Sequence, residues 1–470
     1  MSAASVSAPL PRGVTGPIPR ELLRLALPVL ASQFMRVAYQ WVDALWVRGL
    51  GVNATAAVTT SVFVMWTVYS LQDVFGIGVA AYVSQLLGAG QRGRAGVVAY
   101  RGIRASGLMG LACALAGGLG ARGIYVLMNA PPGVAENGGR YLSVVLGAAP
   151  LPMMALTCET LMRSAGDTRT PLLVTSCAVL LNAALAPLLI YGWAGFPRLG
   201  VAGAAWATVS AQALMVAAYA TLAARRHPAF PLARRDPAGG VRATELARVG
   251  LPAALIGMMF SVVYIAFSRS AARFGAGSLA MVGIANRVEA LQFVAAASLG
   301  IAGATLVGQN LGGGRPDRAV RTIRTGVGWN LWVSAAVTAL MLAFPDGLIG
   351  LFTRDAEAHR IGVPYLRILA SCMFFSGLET VVAESVLGSG HTLVLSWIFT
   401  GISLVRIPLA FWVPDAMRNG ALGIAWVISV TCVVRSTLIV AWAARGSWRR
   451  GLGGQIRPGV QPVVEPPGGS

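Results

Sequence analysis

Residues 85–95, QLLGAGQRGRA, recur 224 positions later as residues 309–319, QNLGGGRPDRA. The residues of this stretch that return in register include Gln85 as Gln309, Gly88 as Gly312, and Arg94-Ala95 as Arg318-Ala319. Other pairs with the same offset lie on both sides of it: Leu27-Pro28 with Leu251-Pro252, Gly51 with Gly275, Tyr141-Leu142 with Tyr365-Leu366, and Gly166 with Gly390. Gly203 and Trp206 return 220 positions later as Gly423 and Trp426, which indicates a short deletion. The sequence therefore predicts two similar halves.

The composition excludes a water-soluble domain. Of the 470 residues, 56% are hydrophobic and 11% are charged, whereas soluble domains carry roughly 25% charged residues. The five cysteines are odd in number and lie in apolar runs, so they predict small buried residues and not a disulfide scaffold.

Apolar stretches long enough to cross a bilayer, about 20 residues each, occur six times in each half. They are 22–46, 57–87, 103–128, 141–162, 171–191, 201–222, 249–272, 279–311, 325–351, 365–387, 392–413 and 421–444. The fold class predicted is an all-α polytopic membrane protein with twelve transmembrane helices.

Arginine supplies all 37 basic residues, and its distribution predicts the topology. The tails and even-numbered loops, with the span ends beside them, hold 23 arginines, and the odd-numbered loops with theirs hold ten. Because positive charge stays on the cytoplasmic side, both termini are predicted to be cytoplasmic, in a bacterial inner membrane. The net charge of +20 does not indicate nucleic-acid binding, since no such module is present.

The domain organisation follows from the repeat. We predict a disordered tail at 1–20, a six-helix lobe at 21–222, a flexible connector at 223–248, a second lobe at 249–445, and a disordered tail at 446–470. An even number of spans per lobe gives a parallel repeat with its pseudo-twofold axis along the membrane normal. Transporters with parallel repeats hold substrate between the lobes; a static scaffold is the alternative.

Three motifs resemble the multidrug and toxic compound extrusion (MATE) family: residues 43–51 (DALWVRGLG), 161–168 (LMRSAGDT) and 200–208 (GVAGAAWAT). The likeness extends from about Glu21 to Arg445. It implies a secondary exporter of organic, often cationic compounds, driven by an inward proton or sodium gradient.

Two positions depart from the family pattern. Ala186 stands where proton-coupled members carry an acid four residues after an asparagine, here Asn182, and the seventh span has no acid, unlike sodium-coupled members. We favour H+ over Na+ as the coupling ion.

Ionisable residues inside spans are functional candidates because burying charge in a membrane is costly. Asp43, Asn182 and Thr208 share the outer half of their helices and form the predicted coupling site. The alternatives are that Asp43 caps a helix end, that Asn182 makes a packing hydrogen bond, and that Thr208 bonds its own helix. Desolvation beside Asn182 should favour the protonated form of Asp43. Asp43 would then take up a proton from outside and release it inside.

The other intramembrane charges are predicted to pair. At about 1.5 Å per residue, Arg36 and Asp73 reach similar depths. Glu159 is expected to pair with Arg163, four residues on, or to act as a substrate acid.

In the second lobe, Glu379 is expected to pair with Arg406, which occupies the position equivalent to Asn182. Glu379, Glu289 and Arg406 could alternatively form a second-lobe ion or substrate site. Pro28 and Pro252 could be gate hinges or static kinks.

The sequence predicts a transporter and not an enzyme, with a small organic substrate, a lipid bilayer around it, no nucleic acid, no cofactor and no metal, acting as a monomer. A lipid-linked precursor flippase is the nearest alternative, since Arg287, Arg406 and Arg435 could hold phosphate. A membrane-embedded enzyme is less favoured, because no catalytic cluster of His, Asp or Glu is evident.

Overall fold

The computed structural model describes residues 10–127, 131–233, 241–417 and 420–453. Its helices, in chain order, are α1 (Arg12–Thr15), α2 (Ile18–Arg48), α3 (Val52–Gly88), α4 (Arg92–Leu127), α5 (Pro132–Gly147), α6 (Pro150–Ser164), α7 (Arg169–Tyr191), α8 (Val201–Ala224), α9 (Ala243–Ala272), α10 (Ala276–Gly312), α11 (Pro316–Ala343), α12 (Pro345–Gly350), α13 (Ala356–Leu387), α14 (Thr392–Ala416) and α15 (Ala421–Ala444). Short 3-10 helices cover Trp193–Gly195 and Ser447–Arg450.

The helices confirm the predicted membrane architecture. Nine helices of the described ranges are long and apolar enough to cross a membrane, and two bent pairs bring the number to eleven. One bent pair is α5 with α6, which meet at 52° near Pro150. α2, 31 residues long and richer in charge, covers the remaining predicted span, 22–46. Inside a bilayer the backbone N–H and C=O groups must be hydrogen-bonded within the segment itself. These apolar sequences therefore form helices.

The repeat extends to the backbone conformation. Gly51 precedes α3 with φ of 95°, and its repeat partner Gly275 precedes α10 with φ of 101°. Gly166 and Gly390 likewise have φ of 88° and 81°. Residues with a Cβ rarely adopt such angles, so the repeated glycines mark turns of the same shape in both lobes. The first lobe comprises α2–α8 and the second α9–α15.

Each lobe has apolar cores of its own and an apolar outer surface. In the first lobe, Leu142 and Ala205 belong to one cluster and Leu161 to another, which extends to Leu246 of α9. In the second lobe, Tyr365 and Leu395 anchor two more. Large apolar side chains such as Trp332 and Leu180 are exposed, at 79% and 70%. Exposed apolar surface of this kind suits contact with lipid.

The lobes meet at the end of the bundle where α1 and the 3-10 helix Ser447–Arg450 lie. Gln85 Nε2 donates to Gly388 O over 2.9 Å, and Gln309 Nε2 donates to Ser164 O over 3.0 Å. These two hydrogen bonds are repeat equivalents, since donors and acceptors are each 224 positions apart. We call these four residues the glutamine clasp.

Glycines allow the close approach of α3 and α10 beside the clasp. A Cβ on Gly88 would overlap Gln309 O, and a Cβ on Gly312 would overlap Gln85 O. The lobes are therefore packed backbone to backbone at this end.

Parts of the predicted tails are folded against the clasp. In the N-terminal tail, α1 buries Val14 completely, and Asn310 Nδ2 donates to Gly13 O over 3.1 Å. In the C-terminal tail, Trp448 is buried and Leu452 N donates to Gln85 Oε1 over 2.9 Å. The prediction of disorder is corrected for these parts, because single apolar anchors hold segments that are otherwise rich in Pro, Gly and Ser. Residues 1–9 and 454–470 lie outside the described residues.

The connector is also partly packed. Phe230 is buried and stacks on Tyr219 of α8, with ring centroids 6.2 Å apart. Arg92 donates to Pro228 O. The predicted flexible connector is thus fixed to the first lobe over its first part, and residues 234–240 lie outside the described ranges.

Candidate functional site

Asp43 lies inside the first lobe, on α2. The helix continues for five residues beyond it, to Arg48, so Asp43 does not cap the helix end. In the amide orientation that pairs both of its polar atoms, Asn182 Nδ2 donates to Asp43 Oδ1 over 2.8 Å and Asn182 Oδ1 accepts from the Tyr39 hydroxyl at 3.3 Å. The structure therefore brings Asp43 and Asn182 together as the sequence predicted.

Thr208 on α8 is the third predicted member. Its hydroxyl donates to Ala204 O over 3.1 Å, within its own helix. Its backbone N–H lies 3.2 Å from Asn182 Oδ1 in the same amide orientation. The Thr208 main chain thus contacts Asn182, while the Thr208 hydroxyl bonds a carbonyl of its own helix.

Tyrosines complete the surroundings of Asp43, and the sequence analysis missed them. Tyr39, Tyr69 and Tyr141 all interact electrostatically with the Asp43 carboxylate. Tyr39 precedes Asp43 by four residues, a spacing that places both on one helical face and could have indicated the contact. Tyr69 and Tyr141 come from other helices, and no local spacing relates them to Asp43.

Ala186, one turn from Asn182 on α7, is fully buried in an apolar cluster with Ile190. At the position where the family pattern has a second acid, this protein therefore has a small apolar side chain that packs in the core. Asp43 is the carboxylate of this site.

A buried ion triplet lies elsewhere in the first lobe. Glu159, 1% exposed, pairs with both Arg163 and Arg36. The Glu159–Arg163 pair is confirmed, whereas the predicted Arg36–Asp73 pair is wrong. Depth along two helices did not determine the direction of the Arg36 side chain, which points to α6.

Asp73 is consequently left without that cation. The carboxylate of Glu384, in the second lobe, is close enough to repel a charged Asp73. Within the described ranges, neither carboxylate makes an ion pair.

The second lobe pairs its charges differently from the prediction. Arg435 Nε donates to Glu379 Oε2 over 2.9 Å, and Arg435 Nη2 donates to Glu379 Oε1, so the predicted Glu379–Arg406 pair is wrong. Arg406 Nε instead donates to Thr431 Oγ1 over 2.7 Å. Repeat equivalence gave the position of Arg406 along α14 but did not show that Arg435 of α15 reaches Glu379.

Glu289 on α10 accepts a hydrogen bond from the Tyr264 hydroxyl over 2.9 Å.

The predicted hinge residues Pro28 and Pro252 lie inside continuous helices, α2 and α9. In the parts of the chain that the structure describes, no group of three or more His, Cys, Asp or Glu is arranged to hold a metal.

Comparison with known proteins agrees with this architecture. The MatE family model matches residues 28–188 and 252–412, two stretches that begin and end 224 positions apart. These matches cover more than half of the chain. The protein belongs to the multidrug and toxic compound extrusion family and is a multi-pass membrane transporter, not an enzyme.

Related proteins match over nearly the whole chain. "Probable multidrug resistance protein NorM" of Thermotoga maritima is 28% identical, over 94% of this chain and 95% of its own length. The "FAD transporter" of Shewanella oneidensis is 24% identical, over 89% and 92%.

Solved structures share the fold. An outward-facing multidrug resistance MATE family transporter gives a TM-score of 0.85 at 20% identity, covering 95% of this chain and 98% of that one. A transporter from Pyrococcus furiosus, described as having a binding pocket of reverse polarity, gives 0.84 at 21% identity with the same coverage.

Proposed function

We propose that this protein exports organic compounds, cationic ones in particular, in exchange for protons, with Asp43 as the coupling carboxylate. Family membership and relatives named multidrug resistance proteins support the export of organic compounds. The observation that carries the coupling role is the Asp43–Asn182 hydrogen bond inside the first lobe. Sodium is the alternative coupling ion.

The surroundings of Asp43 suit a proton-loading group. A carboxylate in a poorly hydrated site favours its neutral form, and Asn182 can orient either form because an amide both donates and accepts. A charged Asp43 would hold a cationic substrate, and a protonated one would release it. Proton and substrate would therefore compete for one carboxylate.

The packing of the lobes supports alternating access. The glutamine clasp and the close contacts of Gly88 with Gln309 and of Gly312 with Gln85 close the end of the bundle where α1 lies. By the arginine distribution this end faces the cytoplasm, in the bacterial inner membrane. The structure would then correspond to the outward-facing state, in which Asp43 loads a proton from outside.

The test is ethidium efflux from proteoliposomes under an imposed proton gradient or an imposed sodium gradient. We expect a proton gradient to drive export by the wild type, and Asp43→Asn to fold but to lose uphill export. Asp73→Asn is the matched control, since it removes another first-lobe carboxylate that makes no ion pair within the described ranges.

Unchanged gradient-driven export in Asp43→Asn would refute the coupling role. A wild type that requires sodium at fixed pH would refute proton coupling and leave export intact.

A further inference from the structure

The second lobe contains a buried guanidinium whose hydrogen bonds go to neutral oxygens. Arg406 is 7% exposed and lies ten residues before the end of α14, near the middle of the bundle. Its Nε donates to Thr431 Oγ1 over 2.7 Å and its Nη2 to Ile428 O over 3.5 Å. Both acceptors are uncharged groups of α15.

Arg406 has no carboxylate of its own. Across the described parts of the chain its guanidinium makes no ion pair, and its Nη1 has no hydrogen-bond acceptor. The nearby Glu379 is occupied by Arg435, which also lies over the Phe399 ring at 4.5 Å. The pair formed by Glu379 and Arg435 therefore neutralises itself.

The repeat shows why the counter-charge is missing. Arg406 is the equivalent of Asn182, whose partner in the first lobe is Asp43. The residue 224 positions after Asp43 is Phe267, which is buried in the apolar core. In the second lobe a cation thus replaces the amide, and an aromatic ring replaces the acid.

Glu289, on α10, is a carboxylate of the same lobe. It interacts electrostatically with Arg406 and Arg435, yet its hydrogen bond is to Tyr264. Within the described structure it makes no ion pair with either arginine. The lobe therefore holds a separated carboxylate and guanidinium, contributed by α10 and α14.

A buried cation without a contacting anion is unfavourable unless a ligand supplies one. The planar guanidinium fork matches a carboxylate or a phosphate with two parallel hydrogen bonds. We propose that Arg406 forms an anion-binding subsite in the second lobe, which takes the carboxylate or phosphate of an organic compound. Glu289 binds a basic group of the same compound, so the preferred ligand is a zwitterion.

The test uses two dyes that differ in one group. Rhodamine 110 carries a free carboxylate, and rhodamine 123 is its methyl ester and is only cationic. Fluorescence anisotropy measures their binding to the full-length protein in phosphatidylcholine nanodiscs without any gradient. This equilibrium test extends the proposed export function but does not depend on coupling through Asp43.

We expect the wild type to bind rhodamine 110 more tightly than rhodamine 123. Arg406→Gln should weaken rhodamine 110 binding by on the order of 10- to 100-fold, as for a lost charged hydrogen bond, and leave rhodamine 123 binding unchanged. Arg406→Lys, which keeps the charge, should retain part of the preference. Glu289→Gln should weaken both dyes.

Equal wild-type affinities for the two dyes would overturn the proposal, and this comparison needs no variant to fold. Equal losses for both dyes in Arg406→Gln would also overturn it and leave Arg406 a structural partner of α15. A lipid phosphate is the other source of the same chemistry. If adding phosphatidylglycerol to the nanodiscs displaces rhodamine 110, the subsite belongs to a headgroup and the assignment to an organic solute fails.

Discussion

The Glu379–Arg435 pair offers a quantitative test of how the second lobe is held together. Glu379→Gln removes the charge from a pair whose side chains are 3% and 12% exposed. Breaking a buried pair from one side costs about 3–5 kcal/mol. The glutamine carbonyl can still accept from Arg435 Nε, which Glu379 Oε2 accepts at 2.9 Å, so we expect the lower end, about 3 kcal/mol.

A cost of about 3 kcal/mol lowers the ratio of folded to unfolded protein roughly 100-fold. The measurement is the free energy of unfolding of purified protein in mixed micelles, followed by tryptophan fluorescence as denaturing detergent is added. Glu136→Gln is the matched control. It breaks the exposed Glu136–Arg140 pair, at 62% and 67% exposure, and should cost less than about 0.5 kcal/mol.

The double variant Glu379→Met with Arg435→Met separates the cost of an unpaired charge from the value of the pair. Apolar replacement of both partners is often neutral or stabilising, so the double variant should be more stable than Glu379→Gln. A Glu379→Gln cost equal to that of Glu136→Gln would refute the reasoning, and so would a double variant less stable than the single one.

Three other outcomes are expected. Gly312→Ala should lower the free energy of unfolding by about 1–3 kcal/mol through overpacking against Gln85 O. Gly328→Ala is the control and should not lower it, because the space around Gly328 is open. Equal effects would contradict the close contact of the lobes. Tyr39→Phe should slow proton-driven ethidium export by about 2- to 10-fold, the value of one hydrogen bond, and an unchanged rate would exclude a supporting role for the Tyr39 hydroxyl. In a cysteine-free background, Arg198→Cys should react with impermeant maleimide on intact cells and Arg449→Cys should not; the opposite pattern would reverse the topology.

The fold was largely predictable because a membrane imposes strong local rules. Apolar length marked the spans, and the pairs offset by 224 marked the two lobes, down to glycines such as Gly51 and Gly275 that share a positive φ. The break between α5 and α6 was not predicted, since Pro150 permits a bend without requiring one.

The candidate site was predictable only in part. Asp43 and Asn182 met as expected, but Arg36 contacts Glu159 and Arg435 contacts Glu379. Residue counting gives depth along a helix, whereas pairing depends on helix rotation and on the length of the arginine side chain. The packed tails were missed because Val14 and Trp448 are single anchors without any period in the sequence.

Proton release on substrate binding tests most directly whether Asp43 is the coupling group. Ethidium is added to purified protein in weakly buffered micelles, at a pH where the carboxylate starts protonated, and the pH change is recorded together with the amount of dye bound. If substrate and proton compete for Asp43, the wild type should release protons in proportion to bound ethidium, and Asp43→Asn should release none at equal occupancy. Equal proton release by the two proteins, or ethidium binding to the wild type without any release, would contradict the account.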